Sequence, residues 1–294
     1  MAIFKGAGVA IVTPMNDNLE VNYDKLDEMI QFQIDNGTDC IVIAGTTGES
    51  STLTMEEHAD VIRAAVQMTK HRVPVVAGTG SNCTKTAIQL TQEAYEAGCD
   101  GALIVTPYYN KATQNGLIKS FTAVADASTK PCILYNVPSR TGCNITPQTC
   151  AVLANHPNIV AIKEASGNIS QVAEISRLCG DRLDIYSGND DQIVPVMSLG
   201  GKGVISVLSN LLPRETSQMC HSYLEGNTKA SLDIQLKYLP LIDSLFCEVN
   251  PIPVKAAMAA MGYCENYLRL PLTEMEDKNQ QKLLADMREA GIEF

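Results

Sequence analysis

Short apolar runs recur at regular intervals along most of the chain. They are Val9–Val12, Cys40–Ala44, Val75–Ala77, Ala102–Val105, Cys132–Tyr135, Ile159–Ile162, Leu183–Tyr186 and Val204–Val207. Runs of this length without polar alternation are what a strand covered on both faces requires. Between them the period changes. Leu26, Met29, Ile30 and Ile34 share one helical face ahead of Gly37, a residue type suited to the left-handed position that ends helices. Thr54 to Glu57 has the form of a capping box opening the next helix. Ala87, Ile88, Ala94 and Ala97 repeat the one-sided pattern before Gly98.

Eight strand–helix units before residue 226 predict an α/β fold, a (β/α)8 TIM barrel. A doubly wound open sheet is the structural competitor. It would carry fewer units and a Gly-rich phosphate turn after its first strand, where this chain has Thr13-Pro14-Met15. Gly200-Gly201-Lys202-Gly203 stands at the entrance of the eighth strand, the wrong end for a phosphate loop, and reads as a tight turn. Past Gly226 the strand signal stops. Leu232–Phe246, Ile252–Met261 and Glu274–Glu289 read as helices, with Asn250-Pro-Ile-Pro253 a break between two of them. The expected division is a catalytic barrel over residues 1–225 and a small C-terminal helical appendage over 226–294.

Composition narrows the function classes. With 294 residues and 45% hydrophobic content the chain can bury a large core, and 19% charged residues argue against disorder. The net charge of −11 and the lack of any Lys/Arg cluster exclude a nucleic-acid binder. No apolar run approaches the roughly 20 residues of a membrane span, and Met1-Ala-Ile-Phe-Lys-Gly6 is no signal peptide. Ten scattered cysteines without a C-x-x-C pair, Cys40, Cys132 and Cys247 among them in apolar segments, read as reduced and mostly buried in a cytoplasmic protein. His58, His71, His156 and His221 lie too far apart for a zinc spacing, so no metal is expected.

Candidate chemistry sits where strands end. In Ile159-Val-Ala-Ile-Lys163, a lysine closes a buried strand. Desolvation disfavours an ammonium, and a free amine beside a cavity is what Schiff-base chemistry on a carbonyl compound needs. A lysine snorkelling out of a strand end is the plain alternative. The other strand ends tilt the choice. They carry Gly45-Thr-Thr-Gly-Glu-Ser50, Thr106-Pro-Tyr-Tyr-Asn110, Tyr135-Asn-Val-Pro-Ser-Arg-Thr-Gly142 and Ser187-Gly-Asn-Asp-Asp191. Hydroxyls can relay the protons of imine formation without fixed charge. Backbone N–H groups of Gly45–Gly48 can cradle one carboxylate, and Arg140 can clamp another. A lysine with two carboxylate sites suggests a small keto acid joined to a second acidic carbonyl compound.

These motifs make the chain similar to the dihydrodipicolinate synthases, within the pyruvate aldolase superfamily that includes N-acetylneuraminate lyase. The resemblance runs from Phe4-Lys-Gly6 through Arg269-Leu-Pro-Leu272. It implies condensation of pyruvate with L-aspartate 4-semialdehyde to 4-hydroxy-tetrahydrodipicolinate, on the route to diaminopimelate and lysine, without metal or organic cofactor. Lys163 matches the Schiff-base lysine, Tyr135 the tyrosine relaying protons beside it, and Thr46 and Tyr109 the rest of the relay. Thr47 matches a contact to the pyruvate carboxylate, and Arg140 the arginine that holds the semialdehyde carboxylate. Gly188 and Ile205 match backbone positions lining the pyruvate pocket. The resemblance further implies a homotetramer, a dimer of dimers, with the tyrosine at position 109 lent across the tight interface. Ser50, His58, Asn82 and Tyr108 match an effector site for lysine. Met55 and Thr86 depart from the histidine and glutamate of lysine-sensitive members, so feedback is expected to be weak.

Two competing readings are another pyruvate-dependent aldolase, such as N-acetylneuraminate lyase, and a non-catalytic sensing barrel. Arg140 suits a short acidic aldehyde and speaks against the first. The joint presence of Lys163, Tyr135 and Thr46 speaks against the second.

Overall fold

All eight apolar runs form strands in the computed structural model, which describes residues 2–294; Met1 lies outside the described residues. The strands are β1 (Gly6–Ala10), β2 (Cys40–Ile43), β3 (Val75–Gly78), β4 (Gly101–Val105), β5 (Cys132–Asn136), β6 (Ile159–Glu164), β7 (Asp184–Ser187) and β8 (Gly203–Ser206). Each pairs in parallel with its successor, and β8 returns to β1 to close the barrel. Closure disposes of the open-sheet alternative.

Helices follow the strands in turn: α1 (Tyr23–Asp35), α2 (Met55–Thr69), α3 (Thr84–Glu96), α4 (Gln114–Asp126), the single-turn α5 (Pro138–Thr141), α6 (Pro147–Leu153), α7 (Ile169–Cys179), α8 (Ile193–Ser198) and α9 (Pro213–Leu224). Then come α10 (Thr228–Leu245), α11 (Ile252–Ala260) and α12 (Asp277–Glu289). The capping box forms as read: the Thr54 side chain accepts from Glu57 N–H, and Glu57 accepts from Thr54 N–H. Such a cap is worth about 1 kcal/mol to the helix. Pro253 does not interrupt a helix. It sits in the first turn of α11, where its missing N–H costs nothing.

Two apolar layers result from the strand alternation. Outward-facing residues such as Ile41, Ile43, Ile104, Leu134 and Ile162 pack against the helices. Inward-facing Val42, Val76, Leu103, Ile133, Ala161 and Ile205 fill the barrel. At the bottom Phe4 stacks on Tyr186, with ring centroids 4.4 Å apart, and the Tyr186 hydroxyl donates to the Phe4 carbonyl at 2.6 Å. The N-terminal segment thereby plugs the floor.

The seam between β1 and β8 explains the shifted first strand. The ladder runs over Gly6–Ala10 rather than Val9–Val12. Gly203 has φ of 148°, and a Cβ there would collide with the Gly6 backbone, so glycine is required at this crossing. The Gly200–Gly203 segment is indeed a turn, feeding Lys202 and Gly203 onto the ends of β7 and β1. All ten cysteines are free. Eight are buried, but Cys83 and Cys247 are exposed. Cys247 departs from expectation because α10 ends at Leu245 and the chain turns outward through Phe246. Among the described residues no helix is long and apolar enough to cross a membrane.

Candidate active site

Strand phase puts Lys163 inside the barrel. Ala161 and Ala165 flank it on the same face, and their small side chains leave room for the lysine stem. Lys163 is 5% exposed. In the parallel ladder it is the register partner of Tyr135 on one side and Tyr186 on the other. Its Nζ lies 4.5 Å from the centroid of the Tyr135 ring. Gly188 follows β7 beside it, and a Cβ at that position would stand 3.1 Å from Lys163 Cε and closer to Ala165. The close approach of the β7 loop to the lysine depends on that glycine.

Above this floor opens a cavity of 330 Å3. Lys163, Tyr135, Thr46, Thr47, Arg140 and Gly188 all line it. These come from the ends of β2, β5, β6 and β7, which the barrel closure brings to one face. Thr46 and Thr47 ride on a turn closed by Glu49 N–H to Thr46 O at 3.1 Å and Ser50 N–H to Gly45 O at 3.3 Å. Thr13 Oγ1 donates to Gly48 O at 2.7 Å and ties this turn to the exit of β1. Arg140 sits in α5, which Gly142 ends in a left-handed conformation at φ of 65°. Two cations, Lys163 and Arg140, face the cavity against one acid, Glu248, which already accepts from Glu276 N–H and Asn279. The balance suits anionic ligands.

A hydrogen-bonded frame behind the strands holds Tyr135 and Lys163 in place. Glu164 is buried and faces away from the cavity. It accepts from Ser166 N–H at 2.7 Å, Asn136 Nδ2 at 2.9 Å and Gln171 Nε2 at 3.2 Å. Asp190, also buried, accepts from Val207 and Leu208 N–H groups at 2.9 Å each, clamping the exits of β7 and β8 together. Burial pushes its carboxyl above the usual range, and hydrogen bonds from Ser206, Leu208 and Val207 oppose this.

Other residues singled out in the sequence fall elsewhere. Ile205 is fully buried in the packed layer beneath the cavity. Tyr109 is 92% exposed and turned to solvent, held at φ of 68° in a loop fastened by Asn110 Nδ2 to Asn82 O at 2.9 Å. A left-handed tyrosine is a costly conformation for a surface loop. Ser50, His58 and Tyr108 line a second cavity of 410 Å3, together with Met55 and Thr86. Asn82 stands beside it, donating to Tyr108 O at 3.3 Å. Thr46 and Arg140 face both cavities.

Sequence reasoning missed the contribution of the C-terminal segment. Phe246, Glu248, Val249 and Asn250 form part of the cavity wall. Asn250 Nδ2 donates to Thr47 Oγ1 at 3.0 Å, while Asn250 O accepts from Arg140 Nη2 at 3.2 Å. One residue thus bridges the two groups read as carboxylate binders. Its only signal in the sequence is the Asn250-Pro251 break. Among the described residues no cluster of three or more His, Cys, Asp or Glu is arranged to hold a metal ion.

A model of the dihydrodipicolinate synthetase family matches residues 3–290. A 4-hydroxy-tetrahydrodipicolinate synthase of Lachnoclostridium phytofermentans is 64% identical over 293 residues, covering 99% of this chain and 100% of that protein. Among solved structures, dihydrodipicolinate synthase from Aquifex aeolicus superposes with a TM-score of 0.96 at 46% identity, over 98% of this chain and 99% of that one. The enzyme from Acinetobacter baumannii, solved in complex with pyruvate, superposes with a TM-score of 0.97 at 42% identity, over 98% and 99%.

Proposed function

We infer that this chain, which belongs to the dihydrodipicolinate synthetase family, condenses pyruvate with L-aspartate 4-semialdehyde through an imine on Lys163. The product is 4-hydroxy-tetrahydrodipicolinate, an intermediate on the way to diaminopimelate and lysine.

One observation carries the assignment of the lysine. Two lysines are buried, Lys163 and Lys255, but only Lys163 opens onto the cavity among the described residues. Lys255 is sealed in an ion pair with Glu49 at 2.5 Å. The Lys163 amine attacks the pyruvate carbonyl, and the carbinolamine loses water to give the imine. Loss of a methyl proton gives an enamine, which attacks the aldehyde carbon of the second substrate. The amino group of that substrate then attacks the imine carbon, closes the ring and releases Lys163. One water leaves overall.

Each step moves a proton, and the hydroxyls of Tyr135 and Thr46 supply the route, with Tyr109 as the third member. Thr47 and the N–H groups of its turn receive the pyruvate carboxylate. Gly188 completes the wall of the pyruvate pocket, and Ile205 packs beneath it. Arg140 at the mouth receives the carboxylate of the semialdehyde. Because Tyr109 turns to solvent in one chain, it acts in a neighbouring subunit's site, within a dimer of dimers. Residues 1–225 form the catalytic unit and 226–294 the helical appendage that completes the cavity wall. Ser50, His58, Asn82 and Tyr108 make the effector site, whose wall has no carboxylate. Ten free cysteines, mostly buried, suit the reducing cytoplasm.

Borohydride reduction in the presence of pyruvate tests the centre of this reading. It should add one pyruvate-derived adduct per chain, mapping to the peptide that holds Lys163. An adduct on another lysine, or none, overturns it.

A further inference from the structure

The Lys255–Glu49 pair has no side chain in the cavity, yet it is among the most deeply buried ion pairs of the molecule. The Lys255 side chain is 0% exposed and that of Glu49 1%. They lie 206 residues apart, one on α11 and one at the end of the turn that carries Thr46 and Thr47. Glu49 uses its second oxygen to accept from Arg269 N–H at 3.2 Å. Its backbone is left-handed at φ of 54°, a conformation that a non-glycine residue holds only when its surroundings fix it.

Stability alone is a poor account of such a pair. Taking two charges out of water is costly, and well-packed apolar residues of similar volume often do as well or better. What an ion pair supplies is direction: a single short contact at a defined place. Here that place is the exit of the turn, where Thr13 also grips the neighbouring Gly48 carbonyl. Thr47 is fixed from the same side by Asn250, two residues before α11 begins.

We propose that the Lys255–Glu49 ion pair is a positioning device for the reaction, holding the Gly45–Ser50 turn so that Thr46 and Thr47 face Lys163. The proposal rests on the catalytic reading of Lys163 and Thr46 above. Lys255 and Glu49 touch no substrate; they act through the turn. Helix α11 is then part of the catalytic frame and not a decoration on the barrel.

The double variant Glu49→Gln/Lys255→Met tests this in the full-length enzyme. It removes both buried charges together, so neither is stranded, and it leaves an acceptor for Arg269 N–H. Activity is expressed per borohydride-trappable site, which counts only folded, imine-competent chains. The expected result is a kcat per site at least tenfold lower and a pyruvate KM several-fold higher. Backbone amides of Thr46–Glu49 should exchange faster while those of β2 and β6 do not change. Unaltered kcat and KM per trappable site overturn the proposal. Should the double variant fail to fold, Glu49→Asp, which keeps both charges but draws the carboxylate back from Lys255, is read the same way: a fall in kcat per trappable site supports the proposal, and no fall overturns it. Failure of the underlying reading is separate, since it shows in the parent enzyme as an adduct that does not map to Lys163.

Discussion

Lys163 Nζ stands over the ring of Tyr135, 4.5 Å from its centroid, because the two residues are register partners on neighbouring parallel strands. No loop intervenes between them. Their relative placement is as rigid as the β5–β6 ladder, and the Asn136–Glu164 hydrogen bond on the opposite face locks the next rung. Removing the hydroxyl while keeping the ring should therefore leave the geometry intact. Tyr135→Phe is expected to lower kcat by about 10²–10⁴-fold, the range for loss of a proton-transfer group. Pyruvate trapping at Lys163 should persist but slow. A stopped-flow trapping rate equal to the parent's would remove Tyr135 from the relay.

Arg140 is exposed at the mouth, with one guanidinium nitrogen on Asn250 O. Arg140→Ala should raise the KM for the semialdehyde by about ten- to hundredfold, as expected when a charge-assisted hydrogen bond of roughly 1.5–3 kcal/mol is lost. Imine formation with pyruvate should barely change. Equal damage to pyruvate trapping would show that Arg140 supports the fold and not the second substrate.

Tyr109 offers a test by subunit mixing. Tyr109→Phe chains and Lys163→Ala chains should each be nearly inactive alone. If Tyr109 serves a neighbour, each mixed pair contains one complete site and part of the activity returns on co-refolding. If it serves its own chain, no mixture recovers any.

His58 should make the enzyme sensitive to mild acid. The ring is buried, and Nε2 donates to Gly78 O at 2.8 Å, which fixes the neutral tautomer. Burial lowers its pKa from 6.5, partly opposed by the Gly78 hydrogen bond and by Glu93. A depressed imidazole contributes stability that is present above 6.5 and is lost as pH falls, because the unfolded chain takes up a proton that the folded one resists. The melting midpoint should decline between pH 7.5 and 5. His58→Gln, whose amide can still donate to Gly78 O, should show a shallower decline. Parallel curves for the two proteins would rule out this histidine as a source.

Lysine should inhibit weakly. The second cavity has Met55 and Thr86 in its wall, Arg140 as a cation, and no carboxylate among its lining residues. Glu57, an acid in the first turn of α2, is taken by a two-pronged pair with Arg269, at 2.5 and 2.8 Å, which holds its carboxyl down at about 2. A missing charge-assisted bond costs about 1.5–3 kcal/mol, or about one to two decades of affinity. Titration with L-lysine at near-saturating pyruvate should give half-inhibition above a millimolar concentration, and Thr86→Glu should lower that value. Sub-millimolar inhibition of the unaltered enzyme would contradict the reading of this wall.

The parts of the site legible in the sequence were those delivered by strand ends. A buried parallel strand announces itself as an apolar run, and the barrel then dictates which residue emerges at the top. Lys163, Tyr135, Thr46 and Arg140 follow from that rule. Strand limits were less visible where glycine replaces an apolar side chain: Gly6 and Gly8 belong to β1, but carry no hydrophobic signal. Contacts between distant segments left no periodic trace at all. Asn250 meets Thr47 across 203 positions and Lys255 meets Glu49 across 206, and nothing local in either segment marks its partner. Tyr109 could be read as exposed, but the use proposed for that exposure lies in another copy of the chain.

Phe4 and Tyr186 close the barrel from below, so nothing reaches the reaction chamber from the entrance ends of the strands. Lys163 lies on the floor of the chamber and Arg140 at its mouth, so a ligand bound at the lysine lies beneath one bound at the arginine. Traffic in such a blind alley is last in, first out. On the proposed assignment of Lys163 and Arg140, pyruvate is seated before the aldehyde arrives. The order of addition proposed here is thus set by a stacked pair of rings at the far end from the chemistry.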